Sequence, residues 1–137
     1  MLRQIRDNEL DKLPLHDAEI HSLNTAYADD GKINLSIRIK INSEEIDTLL
    51  NKFEINESIL ELTFISCWQI ISDIVGCNAS REVLLDWSVL QTSSLIDDLK
   101  NKGFANEAEL KHYLLSLSGG TTLSIIAEKL FISGINK

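Results

Sequence analysis

The chain has 137 residues, of which 44% are apolar and 25% charged, and its formal net charge is −8. This length and composition predict one globular domain over residues 1–137 and exclude a disordered chain. No apolar run approaches the about 20 residues of a membrane-spanning helix, and the N-terminus lacks a signal-peptide core, so we expect a cytoplasmic protein without a membrane partner. The excess of carboxylates argues against nucleic acid as a partner, because binding phosphates needs clustered Lys and Arg. It permits a basic protein partner, although acidity also keeps proteins soluble.

A β-hairpin and a helix are predicted in the first third of the chain, after a polar lead-in over residues 1–12. Residues 32–41 alternate strictly, with Ile or Leu at every odd position from 33, which is the period of a half-buried strand. The preceding Asp30-Gly31 is a strong hairpin signal, so residues 18–27 are predicted to form the antiparallel neighbour, with a bulge. Apolar residues then recur at helical spacing, which predicts a short helix near 43–53, capped by Asn42.

The middle of the chain predicts two more strands and a second helix. Residues 59–67 alternate in phase, whereas residues 68–75 fit a helical turn as well as an irregular strand, and we favour the strand. Residues 81–90 alternate again, so Val83, Leu85, Trp87 and Val89 are predicted to share one face of the strand, and Glu82, Asp86 and Ser88 the other. Residues 93–102 predict a helix with Ser94 as its cap, acidic residues in the first turn and lysines in the last.

The last third is ambiguous at one segment. Residues 110–118 fit either a helix or a strand, but the β-branched segment 121–132 needs an antiparallel neighbour, and Gly119-Gly120 suits a tight hairpin loop. We therefore predict a closing hairpin, with a bulge near Ala127. Together the elements predict an α+β fold: a mainly antiparallel twisted β-sheet of about six strands with two short helices packed on it.

The densest group of side chains that could bind a metal ion or act in acid–base catalysis lies around His16, Asp17 and His21. A metal site needs three or more converging ligands, so His112 would have to complete one. We favour a structural interpretation, in which Asp17 caps backbone groups and His16 donates to a carbonyl. The sequence therefore predicts no catalytic residue, no metal and no cofactor. The alternative is a small metal-binding protein or enzyme that uses His16, Asp17 and His112.

Other chemical signals are weak. The chain has two cysteines, Cys67 and Cys77, and in a reducing compartment we expect free, at least half-buried thiols rather than a disulfide. No serine lies in a G-x-S-x-G motif, and Ser118 to Thr121 lacks the lysine and glycine spacing of a phosphate-binding loop. These patterns do not indicate a hydrolase or a nucleotide-binding protein.

The carboxylates fall into three groups, at the tip of the first hairpin and at the starts of the two predicted helices. The candidate partner-binding residues are Asp29, Asp30, Glu44, Glu45, Asp47, Asp97 and Asp98. Any two of these groups on one side of the sheet would make a negative patch that speeds encounter with a basic protein.

Two stretches carry a resemblance. The first is Leu15-His16-Asp17-Ala18-Glu19-Ile20, followed by a hairpin and Leu60-Glu61-Leu62-Thr63-Phe64; the second is Lys111-His112-Tyr113 with Ser118-Gly119-Gly120-Thr121 and Ile125-Ile126-Ala127-Glu128. They resemble small uncharacterised bacterial proteins with a His-Asp-Ala/Ser start, some of which are grouped with immunity proteins of toxin systems. The resemblance implies a mainly antiparallel domain, a strand over 110–118 and no catalytic residues. From the net charge, the lack of a catalytic constellation and this resemblance together, we predict a non-enzymatic protein-binding domain, and more specifically an immunity protein that neutralises a cognate toxin with a basic domain by direct binding.

Overall fold

The computed structural model describes residues 2–73, 82–104 and 109–135. Within them the strands are β1 (Arg3–Ile5), β2 (Glu19–Tyr27), β3 (Ile33–Lys40), β4 (Ile59–Asp73), β5 (Leu84–Leu90), β6 (Lys111–Leu117) and β7 (Thr122–Ile135). The α-helices are α1 (Ile46–Phe53) and α2 (Ser94–Asn101), and short 3₁₀ turns occupy Leu10–Lys12 and Ser43–Glu45. The predicted α+β fold is confirmed, including the strand at β6. None of the helices in the described ranges is long and apolar enough to cross a bilayer.

The strands form one antiparallel sheet in the order β2-β3-β4-β7-β6-β5. β7 is long enough to hold two neighbours along one edge. Its first half pairs with β6, and its second half pairs with β1 through Leu130 to Ile132. β1 therefore adds a strand where the sequence predicted only a polar lead-in.

The two outermost strands of the sheet meet at one corner. Glu19 forms an antiparallel bridge with Val83, and the Leu84 amide donates to the Ala18 carbonyl at 2.8 Å. The Ile20 amide donates to the Glu82 carbonyl at 3.0 Å. These bonds close the curled sheet at the start of β2 and leave the rest of β2 as an edge among the described residues.

Two irregularities bend β4. Ser66 has a left-handed backbone, with φ 58°, and its amide donates to the Asn34 side-chain oxygen at 3.0 Å. Trp68 is an extra residue opposite the Ala127–Ile126 step of β7. The bulge predicted near Ala127 is therefore present, but its extra residue belongs to β4. The predicted irregular strand continues to Asp73, and the remainder of that prediction lies outside the described residues.

Two local predictions in the middle of the chain are wrong. Leu85 was predicted to share a face with Trp87 and Val89, but a register shift between Leu84 and Asp86 buries Leu84 and leaves Leu85 exposed. The cap of α2 is Ser93, whose hydroxyl accepts from the Ile96 amide at 3.3 Å. The prediction of Ser94 was one residue late.

The two helices cover opposite faces of the sheet. Leu49 and Phe53 of α1 join the main core. Ile96 of α2 instead packs against Leu110 and Ile126. The Ile126 side chain points away from the main core, so this second cluster lies on the other face of the sheet. The main core is lined by alternate residues of the central strands, chiefly Leu35, Ile37, Ile39, Leu60, Leu62, Phe64, Tyr113, Leu115, Leu123, Ile125, Leu130 and Ile132.

The phase of β3 gives a direct test of this packing. Ile37 is fully buried, so Ile37→Asp places an unpaired carboxylate in the core at a cost of about 4 kcal/mol or more, against a total stability of roughly 5–15 kcal/mol. We expect this variant to unfold or nearly so in a thermal melt. Ser36→Asp, on the other face of the same strand, should change the melting temperature little. Equal melting temperatures would contradict the assigned faces.

Candidate functional site

An open groove of about 460 Å³ lies beside the corner where β2 begins. It is lined by Asp17, Glu19, Lys40, Ile41, Asn42, Ser43, Ile46 and Ser58. One wall comes from the segment that leads into β2, and the other comes from the end of β3 and the turn before α1. The Ile41 amide donates to the Ser58 carbonyl at 2.8 Å, which holds the second wall against the start of β4.

The backbone at the corner sets the position of Asp17. Its amide donates to the Leu84 carbonyl at 2.9 Å, and its φ of 62° is left-handed. Asp and Asn tolerate this conformation better than most residues do. The carboxylate stays about half exposed, with Oδ2 3.2 Å from His16 Nδ1. The described contact of His16 is therefore with Asp17, and not with the backbone carbonyl that the sequence interpretation expected.

Glu19 supplies the second carboxylate of the groove. It lies opposite Lys40 in the β2–β3 register, and its Oε1 is 3.1 Å from His21 Nε2. Lys40 is the cation among the groove-lining residues. The local balance at the base of the groove is thus two carboxylates against one ammonium group.

The turn before α1 adds further negative charge on the other side. The Asn42 side-chain oxygen accepts from the Glu44 amide at 3.1 Å, so Asn42 caps this turn as predicted. Glu44 and Asp47 are exposed and Glu45 is half-buried. Ser43 and Ile46 line the groove, so this acidic turn is next to lining residues along the chain, while the lining carboxylates themselves are those of Asp17 and Glu19.

The other predicted acidic groups lie elsewhere. Asp29 and Asp30 occupy the hairpin tip at the opposite end of β3, whose eight residues span about 26 Å. Asp30 caps its own turn by accepting from the Lys32 amide at 2.9 Å. Asp97 and Asp98 lie on α2, which packs on the other face of the sheet. The seven candidate partner-binding residues therefore do not form one patch.

The alternative site is not assembled either. Asp17 is bonded to Leu84 at the start of β5, whereas His112 pairs with Leu90 at its end. These two positions of β5 are six residues apart, which corresponds to about 20 Å along a strand. Across the described ranges, no three His, Cys, Asp or Glu side chains are grouped to hold a metal ion.

His112 and Cys67 are largely withdrawn from solvent. His112 is 6% exposed, its ring nitrogens have no hydrogen-bond partner among the described residues, and burial lowers its pKa. Cys67 is a free, half-buried thiol that donates to the Phe64 carbonyl at 3.3 Å, and burial raises its pKa to about 11. A protonated thiol is a poor nucleophile. The prediction for Cys77 lies outside the described residues.

A second polar cluster, which the sequence did not indicate, anchors the N-terminal segment. Asp7 Oδ1 lies 3.0 Å from Lys111 Nζ, and the Gln91 side-chain amide donates to the other carboxylate oxygen. Burial, and secondarily the charge of Asp7, raises the pKa of the Tyr113 hydroxyl. This cluster ties the lead-in to β6 and is distant in the fold from the groove.

No family model, curated protein or solved structure matches the chain.

The buried His112 gives a prediction about acid stability. Burial lowers its pKa below the ordinary value of 6.5, so below that pH the unfolded chain takes up a proton that the folded protein excludes. The stability that depends on a neutral His112 is therefore fully present above the ordinary pKa of 6.5 and is lost as the pH falls below it. We expect His112→Phe to lose less melting temperature than the wild type between about pH 7.5 and about pH 5. His16→Gln, at an exposed position, is the control, and an unchanged acid-induced loss in His112→Phe would refute the assignment.

Proposed function

We propose that this protein is a non-enzymatic binding domain that receives a basic partner protein at the acidic groove. The observation that carries the proposal is an open groove lined by the carboxylates of Asp17 and Glu19, with the acidic turn before α1 next to its lining residues Ser43 and Ile46. The net charge of −8 agrees with a basic partner. We further propose, on the motif resemblance described above, a cytoplasmic immunity protein that neutralises a toxin domain by direct binding.

The chemistry of the groove suits lysine and arginine side chains. Carboxylates accept charge-assisted hydrogen bonds from ammonium and guanidinium groups, which are shorter and stronger than neutral ones. Asn42, Ser43 and Ser58 add neutral polar groups along the same walls. The groove is open to solvent, so each exposed ion pair contributes only about 0.2–1 kcal/mol. Several such pairs are needed together, and the principal effect of the charge is on the rate of encounter.

The position of the charge distinguishes this proposal from a general effect of acidity. Glu44→Gln/Asp47→Asn removes two carboxylates beside the groove. Asp97→Asn/Asp98→Asn removes two exposed carboxylates from the middle of α2. Both variants therefore have the same net charge. Each variant also removes one carboxylate from the first turn of an α-helix, Asp47 in α1 and Asp97 in α2. The two variants therefore lose the same kind of favourable interaction with a helix dipole.

The test is the association rate of each form with the protein that copurifies with it or is encoded by its neighbouring gene. At low salt we expect the groove variant to associate about tenfold more slowly than the wild type, because electrostatic steering is lost. The wild-type rate should fall as salt rises past about 0.15 M, where the Debye length is about 8 Å, while dissociation changes less. The α2 variant should stay near the wild-type rate.

Three results would contradict the proposal. The first is an association rate that does not respond to salt, and the second is an equal loss in the α2 variant. The third is turnover of a small substrate that disappears in His16→Ala, because that would make the protein an enzyme.

A further inference from the structure

Each carboxylate that lines the groove has a histidine within hydrogen-bonding distance. His16 Nδ1 lies 3.2 Å from Asp17 Oδ2, and His21 Nε2 lies 3.1 Å from Glu19 Oε1. The chain has three histidines, and the third, His112, is buried on β6. Two of the three imidazoles are therefore placed on the two acidic side chains of one groove.

The backbone accounts for both contacts. Glu19 and His21 are two residues apart in β2, and alternate residues of a strand project from the same face. The register of the β2–β3 pair shifts at His21, so this side chain is directed to Glu19 without a residue of β3 directly opposite. The left-handed backbone of Asp17 turns its carboxylate back to the preceding His16.

The two contacts differ in their exposure to solvent. The His21 side chain is 22% exposed, whereas the His16 side chain is 63% exposed. Charges that are partly buried are screened less by salt and water than exposed ones. A positive charge on His21 therefore acts on the groove more strongly than one on His16.

We infer that these two histidines make the groove sensitive to pH, so that a basic partner is held at neutral pH and released in mild acid. The inference rests on the proposed function, because it concerns the same partner at the same groove. A neutral imidazole leaves the carboxylate beside it with its full negative charge. A protonated imidazole compensates that charge and repels the ammonium and guanidinium groups of the partner.

The change in charge is large compared with the charge that the groove has at neutral pH. Asp17, Glu19 and Lys40 together carry one net negative charge, and protonation of both imidazoles adds two positive charges. The same residues with their two histidines then carry one net positive charge. Histidine is the side chain that ordinarily titrates between about pH 5 and about pH 8, so this reversal takes place in mild acid.

The other charged groups described around the two pairs are carboxylates, lysine and arginine. Lys40 lies opposite Glu19, and Arg38 is paired with Glu61 farther along the same strands. Glu82 adjoins β2 through the bond from the Ile20 amide to its carbonyl, and the acidic turn lies before α1. Side chains of these types ordinarily keep their charge between about pH 5.5 and about pH 7.5. Within this set the two histidines are the groups whose charge changes.

The test is the dissociation constant of the complex with the copurified or neighbouring-gene partner, measured at about pH 7.5 and about pH 5.5 at one ionic strength. We expect the wild type to bind about three- to tenfold more weakly at the lower pH, because exposed charge pairs are individually weak. His16→Gln/His21→Gln should lose most of this change, since glutamine can still donate to the carboxylate but does not titrate. His21→Gln alone should remove the larger share. The partner's own titration contributes equally to every form.

His112→Phe is the matched control. It leaves both groove pairs intact and should keep the wild-type ratio of the two constants. It also removes the acid sensitivity expected of the buried ring, so a loss of affinity in this variant cannot come from unfolding through His112. A double histidine variant with the wild-type ratio would overturn the inference, as would a wild type that binds equally well at both pH values.

A variant of the carboxylates separates failure of this inference from failure of the proposed function. Asp17→Asn/Glu19→Gln should bind more weakly than the wild type at neutral pH, and asparagine tolerates the left-handed backbone at position 17. Wild-type affinity in this variant would contradict the groove as the binding site, and the inference with it. Weaker binding, combined with an unchanged pH dependence in His16→Gln/His21→Gln, would contradict the inference alone.

Discussion

The pairing of β4 with β7 is the interaction on which the rest of this structure depends. The two strands pair from Ile59 opposite Ile135 to Asp73 opposite Thr122, with one shift of register at Trp68. With 15 and 14 residues they are the longest strands described, so each has room for neighbours along its outer edge. β3 pairs with β4, while β6 and β1 share β7. Bulges increase strand twist, and those at Ser66 and Trp68 accompany the curl that brings β2 to β5.

The curl of the sheet accounts for the groove. Ala18 and Leu84, which are far apart in sequence, are joined by a backbone hydrogen bond at the corner, and the same corner holds Asp17 in a left-handed conformation. The register of the first hairpin then sets Glu19 opposite Lys40, next to the capped turn before α1. The acidic groove is therefore a product of tertiary structure. It brings the carboxylates of Asp17 and Glu19 near the acidic turn of residues 44–47, which lies far from them in the sequence.

Strict alternation made β3 predictable, because only an extended chain puts every second side chain of residues 33–41 on one face. The hairpin followed from Asp30-Gly31, and the β6 strand followed from the need of β7 for a neighbour.

β1 was missed because three residues carry too little pattern to detect. Leu85 was misassigned because a bulge in β5 inverts the phase after Leu84. Glu19 was not recognised as part of a site, although counting the hairpin register back from the turn brings it next to the end of β3. Its contact with β5 depends on the curvature of the whole sheet, which no local pattern contains.

The most direct test of the account is to map where a basic partner binds. Backbone amide chemical shifts of the labelled protein would be followed by NMR as the copurified or neighbouring-gene partner is added. If the groove receives the partner, the largest changes fall on residues around it, including Asp17, Glu19, Lys40 and Ser43, with small changes on α2 and at the tip of the first hairpin. Changes centred on α2 or on that hairpin tip, with the groove unaffected, would contradict it.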